Sequence, residues 1–155
     1  MSGHLSAFLD QNGLDGFLYV GESYCDADMY YLSRFLAGDR FALLAVEKTT
    51  LLVSSMELGR ARKESSAHRV LSTSEFHITD KLKSSKRPDE AYALVLAEFL
   101  SRCSVKRLGV PYNFPAGIYR SLEQDFSVKI LGSPIARQRE IKRPEEIEAI
   151  ALTQR

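Results

Sequence analysis

Leu14-Asp15-Gly16-Phe17-Leu18-Tyr19-Val20-Gly21 is the stretch on which the fold turns. Phe17 to Val20 is apolar without interruption and is bounded by Gly16 and Gly21. A strand with one face in water alternates apolar and polar residues, so an unbroken run of strand length predicts burial on both faces. Burial on both faces requires helices on both sides of a sheet. Upstream, Leu5, Phe8 and Leu9 recur at helical spacing within Ser2 to Asn12. Asn12-Gly13 supplies the left-handed stop for that helix.

Downstream the pattern continues. After a loop from Gly21 to Asp28, Met29-Tyr30-Tyr31-Leu32 reads as one helical turn. Phe41 to Val46 and Thr50 to Val53, separated by Glu47-Lys48-Thr49, predict an antiparallel hairpin. Ser54 with Glu57 three residues on is a capping-box pattern, which predicts a helix from about Met56 to Glu64. His68 to Leu71 reads as a short strand, and polar, basic Ser72 to Arg87 as a mobile surface loop. Pro88, Asp89 and Glu90 open the strongest helix, whose apolar stripe is Tyr92, Val95, Leu96, Phe99, Leu100 and Cys103. Arg107 to Val110 predicts a strand, Pro115 to Gln124 a helix, and Val128 to Leu131 a strand. Strands alternating with helices around one hairpin give an α/β domain: three layers, a mixed and largely parallel sheet, helices on both faces.

Composition narrows the function classes. A chain of 155 residues fits one domain, and 45% hydrophobic with 26% charged residues is a globular mixture. A formal net charge of +1 gives no bulk attraction to nucleic acid or to an anionic membrane. Two cysteines make no disulfide framework, and neither a signal peptide nor an apolar stretch of membrane-spanning length is evident. These features predict a soluble, cytoplasmic protein without nucleic-acid or membrane partners.

No complete catalytic constellation is visible. His4, His68 and His77 fall on separate elements and in no metal-ligand spacing. Cys25-Asp26-Ala27-Asp28 contains a D-x-D, but Gly21 to Cys25 separates it from the strand end where a phosphoryl-transfer aspartate would sit. The reading preferred there is Asp28 as the N-cap of the following helix. There is no G-x-S-x-G elbow and no phosphate-binding glycine loop. Cys103 belongs to the apolar stripe, and Cys25 lies in a loop. The basic run Lys81 to Arg87 lacks interleaved aromatics, so it reads as a solvated face.

The tail differs in kind. Arg137 to Arg143 is dense in charge, and Pro144-Glu145-Glu146-Ile147-Glu148 opens a new helix on which Ile147, Ile150 and Ala151 begin an apolar face. Two readings stand: a C-terminal helix docked on the domain, or the opening helix of a further one.

The order of these elements resembles the creatinase/prolidase N-terminal domain, over nearly the whole chain. In that family the first strand leads to an N-x-x-Y-L-[TS]-G-F motif. Asp28, Tyr31, Leu32, Ser33 and Phe35 echo it, with Asp28 standing where the family has Asn and Arg34 where it has Gly. Arg139-Glu-Ile-Lys-Arg-Pro-Glu-Glu-Ile-Glu148 is similar to the R-x-I-K-x-x-x-E-I segment that joins this domain to a catalytic one. The resemblance implies a ribonuclease H-like domain over residues 1–133. Residues 134–155 would then be a linker and the start of a catalytic domain.

It also implies a parent enzyme, an Xaa-Pro dipeptidase or aminopeptidase. The catalytic domain of such an enzyme holds two divalent metal ions (Mn, Co or Zn) through two Asp, one His and two Glu, and no cofactor is expected in this chain itself. The partners implied are its own catalytic domain, a second subunit in a homodimer, and short proline-containing peptides as substrate. Tyr30, Tyr31, Arg34, Phe35, Asp39 and Arg40 are the candidates for substrate gating or partner contact. For Tyr31 and Phe35 the other reading is packing under the sheet. Two alternatives remain open: a free-standing α/β binding module, and the N-terminal domain of a creatinase-like amidinohydrolase.

Overall fold

The computed structural model describes residues 2–154. The first half runs α1 (Ser2–Asn12), β1 (Gly16–Gly21), α2 (Ala27–Ser33), β2 (Phe41–Ala45), β3 (Thr49–Val53), α3 (Leu58–Glu64) and β4 (Arg69–Ser72). A 3-10 turn (Thr73–Phe76), α4 (Ile78–Ser84) and α5 (Pro88–Arg102) follow. β5 (Arg107–Val110), α6 (Ala116–Leu122), β6 (Ser127–Ile130), α7 (Ala136–Glu140) and α8 (Pro144–Thr153) complete the chain.

The strands form one six-stranded mixed sheet of order β4-β3-β2-β1-β5-β6. β1 pairs antiparallel with β2 and parallel with β5, as in Tyr19 opposite Leu43 and Phe17 opposite Gly109. Antiparallel pairing therefore extends one strand beyond the expected β2–β3 hairpin, while β3–β4 and β5–β6 are parallel. Alternate residues of β1 enter opposite cores, which is why the whole run is apolar. Phe17 and Tyr19 pack with Leu5, Leu9, Met29, Leu32, Phe35 and Ala61 of the α1, α2 and α3 side. Leu18 and Val20 pack with Leu96, Phe99, Leu100, Ile118 and Leu122 of the α5 and α6 side. The α/β, three-layer expectation holds.

Local signals explain most boundaries. Gly13 takes φ 64, and the Leu14 N–H reaches back to the Leu9 carbonyl at 2.9 Å, closing α1 as the Asn12-Gly13 pair predicts. Gly109 is required by close approach: a Cβ there would stand 2.5 Å from Phe17 Cδ2 and 2.9 Å from Leu14 Cδ1.

Two expectations about these elements need correction. Helix α3 starts at Leu58, not Met56. The Glu57 N–H reaches Ser54 Oγ only at 3.4 Å, and the Glu57 carboxylate turns instead to Arg60 at 2.7 Å, so no reciprocal box forms. Residues 72–87 are not a mobile loop. Ser72 and Glu75 make the capping box there: Glu75 Oε1 accepts from the Ser72 N–H at 2.9 Å, and Ser72 Oγ from the Ser74 N–H at 3.2 Å. That box places Phe76 edge-to-face against Phe99, with ring centroids 6.1 Å apart. Lys81, in the supposed solvated run, donates to the Phe76 carbonyl and pairs with Glu98, both at 2.8 Å. Among the described residues of α8 none is buried.

Candidate functional site

The feature that sets this chain apart from a bare α/β core is how its last segment is held. Helix α2 begins at Asp26, not at Asp28 as the sequence suggests. Asp26 is extended (φ −114, ψ 101), and its Oδ1 accepts the Asp28 and Met29 N–H groups at 2.9 and 3.0 Å. Its other oxygen accepts from Asn113 Nδ2 at 3.1 Å. With the cap made by Asp26, Asp28 falls in the first turn and its carboxylate faces outward.

Asp28, Tyr31 and Arg34 then share one face of α2 at intervals of three. Met29, Leu32 and Ser33 take the opposite face, into the core. Arg34 is the residue that ends the helix. Its φ is 54, in the left-handed region that favours glycine, and its N–H donates to the Tyr30 carbonyl at 2.7 Å. An arginine there costs about 1 kcal/mol in backbone strain.

The connecting segment meets this face rung by rung. Ile135 is buried in the lower core, and Ser133 Oγ hydrogen-bonds the buried Tyr19 hydroxyl at 2.8 Å, which fixes where the segment leaves the sheet. Burial raises the Tyr19 phenol well above its ordinary pKa, so this contact stays neutral. Arg139 on α7 pairs with Asp28. Arg143, just before α8, donates from Nη2 to the Tyr31 hydroxyl at 3.0 Å. The guanidinium groups of Arg143 and Arg34 both lie over the Tyr31 ring, 5.3 and 5.2 Å from its centroid. Arg34 Nη2 reaches Glu146 Oε1 at 3.2 Å. The other oxygen of Glu146 accepts the Arg143 N–H at 3.0 Å. That backbone contact, and then Arg34, hold the Glu146 carboxyl below the usual carboxylate range.

Beyond this point α8 projects free of the domain, with Ile147 57% and Ile150 44% exposed. The arrangement is a mechanical one. It brings together no nucleophile with a base, and among the described residues no group of three or more His, Cys, Asp or Glu stands where it would hold a metal ion. Among those residues, too, no helix is long and apolar enough to cross a membrane.

The six residues singled out from the sequence separate. Tyr31 and Arg34 belong to the α2 face just described. Tyr30 lies on α2 beside Tyr31 but is exposed, and Asp39 lies exposed before β2. Arg40 pairs with Asp89 at the start of α5, at 2.6 Å. Phe35 is fully buried, edge-to-face with Phe41 at 5.7 Å, so its role is packing. Asp28, Arg139, Arg143 and Glu146 are members that the sequence reading did not assign. The available signal was charge reciprocity between the motif Asp28 to Arg34 and the segment Arg139 to Glu146, in the same order along both.

Residues 3–141 match the family model described as the creatinase/prolidase N-terminal domain. No curated protein matches the sequence significantly. Among solved structures, the prolidase of Pyrococcus horikoshii OT3 is similar at 22% identity and a TM-score of 0.67, over 95% of this chain and 37% of that one. An Xaa-Pro aminopeptidase from Streptococcus thermophilus is similar at 16% identity and 0.60, over 88% of this chain and 93% of that one. A proline dipeptidase from Streptococcus pneumoniae gives 20% identity and 0.60, over 92% and 100%. This chain spans well under half the length of the Pyrococcus prolidase chain.

Proposed function

Because the chain belongs to the creatinase/prolidase N-terminal domain family, we propose that it is the non-catalytic N-terminal domain of a proline-specific metallopeptidase, an Xaa-Pro dipeptidase or aminopeptidase, serving dimerisation and substrate gating. The observation that carries this reading is α8. Its base is tied to the domain by side chains, while Ile147, Ile150 and Ala151 stay exposed along one face of it. An apolar face held out from its own domain fits a role as the first element of a neighbouring one. The two divalent ions would reside in that neighbour and would supply activation of water for hydrolysis of the bond before proline. Exposed Tyr30 and Asp39 are left as this domain's contribution to gating or subunit contact.

The test is an assay of the product of the whole reading frame on Xaa-Pro dipeptides with Mn²⁺, beside this 155-residue chain alone. The reading expects chelator-sensitive hydrolysis by the former and none by the latter. Chelator-insensitive hydrolysis of a guanidino substrate instead would place the domain on an amidinohydrolase. A reading frame that encodes no ligand set would make it a free-standing binding module. Sedimentation of the isolated chain is expected to show weak self-association at most.

A further inference from the structure

We propose that the exposed face of α2 is an electrostatic clasp that sets the direction in which α8 leaves the domain, and that Asp28 and Arg34 are its positioning residues. The inference does not depend on what lies beyond α8. It rests on two ion pairs that leave one face of α2 for the connecting segment, Asp28 with Arg139 and Arg34 with Glu146.

The Arg34 position makes the argument sharper. Glycine would be the easier residue at φ 54, and arginine stands there in a strained conformation. What the strain obtains is visible: an ion pair to Glu146 whose side chain is only 18% exposed, and a cation–π contact on Tyr31 that Arg143 shares. The rungs lie between residues 28–34 and 139–146, so they fix two separate helices relative to each other, not either helix alone. α8 has no buried residue of its own.

Domain stability and α8 order should therefore respond in opposite senses to one substitution. In Arg34→Gly the strain is relieved, and the melting temperature of the intact chain is expected to stay level or rise. In the same variant the ¹⁵N order parameters of residues 147–153 are expected to fall from near the rigid value of about 0.85 to below about 0.6. Glu146→Gln, which keeps the α8 sequence helical, should lower the same order parameters. The double variant should add little to either, because both substitutions remove the Arg34–Glu146 pair. Raising NaCl to 1 M should loosen wild-type α8 by more than it loosens Arg34→Gly, which keeps only the Asp28–Arg139 pair. The proposal is overturned if α8 is already mobile in the wild-type chain, if its order survives both single substitutions, or if the two losses are additive. Unaltered amide spectra of β1 and β2 in each variant show that the domain itself has folded.

Discussion

The sheet and α8 are neighbours in one chain held by opposite physics. Around β1 the side chains are buried on both faces and no charge is needed to fix their arrangement. Phe17, Leu18 and Tyr19 are each fully buried, and burial of a side chain of this size contributes about 1.5–3 kcal/mol. Beyond Ile135 no described residue is buried, and the segment is positioned by ion pairs, a hydrogen bond and two guanidinium–ring contacts. Exposed and half-exposed pairs of this kind contribute at most about 1 kcal/mol each. The difference teaches a division of labour. Apolar burial makes the domain stable, whereas weak polar contacts give a direction to an element that adds little to that stability.

Substitutions can break or sharpen that contrast. The largest effect is expected at Gly109, where alanine would drive a methyl group into the Phe17 ring and Leu14 between two paired strands. Gly109→Ala should destabilise the fold by about 3 kcal/mol, measured by urea denaturation. A loss below about 0.5 kcal/mol would mean that the sheet yields more easily than its packing suggests. Next is Asp26→Ala, which removes the α2 cap and should cost about 1 kcal/mol. Because α2 carries the clasp, the same variant should also speed amide exchange in α8, which links the two regions through one residue.

A smaller effect is expected at the Asp15–Arg107 pair, which ties the α1–β1 turn to the start of β5 with contacts of 2.5–3.0 Å. Hydrogen bonding from the Arg107 side chain, and then from the Lys106 N–H, lowers the Asp15 carboxyl from 3.8 to about 2. A carboxyl lowered on folding stabilises above its unfolded pKa and ceases to do so as pH falls through its folded value. The pair's contribution, under about 1 kcal/mol for so exposed a group, is therefore full above about pH 4 and lost towards pH 2. Asp15→Asn should flatten the acid limb of the stability–pH curve over that interval and change nothing in its alkaline limb. The smallest effect belongs to Ile147→Ser on the exposed face of α8. It should shift stability by less than about 0.5 kcal/mol, in contrast to Gly109→Ala.

The two regions also differed in how legible they were. β1 and α5 could be read directly because their signals are local: an unbroken apolar run in one, a proline, two acids and a helical stripe in the other. Residues 72–87 resemble a loop because Phe76 is the one apolar residue among them that is buried, beside the polar Ser72 and Thr73. α4 presents no buried residue, so its composition resembles a loop. The capping box at Ser72 and Glu75 was nonetheless present in the sequence. The exchange of Asp26 for Asp28 came from a helix that starts earlier than its apolar residues indicate. The clasp could not be read from spacing at all, because its partners lie 111 or 112 residues apart and meet only once the sheet has formed. Family resemblance marked both segments but not their pairing, since Asp28 and Arg34 are where this chain leaves the motif.

The division of labour is tested most directly by native-state hydrogen exchange on the intact chain across a urea series. Amides of β1 and β2 are expected to exchange only through global unfolding, with a free energy that falls steeply with urea. Amides of residues 147–153 should exchange through a local opening of small free energy that urea hardly changes and added salt lowers further. If the α8 amides instead share the sheet's free energy and urea dependence, α8 is part of the cooperative core, and the account of a polar-held element beside an apolar domain is wrong.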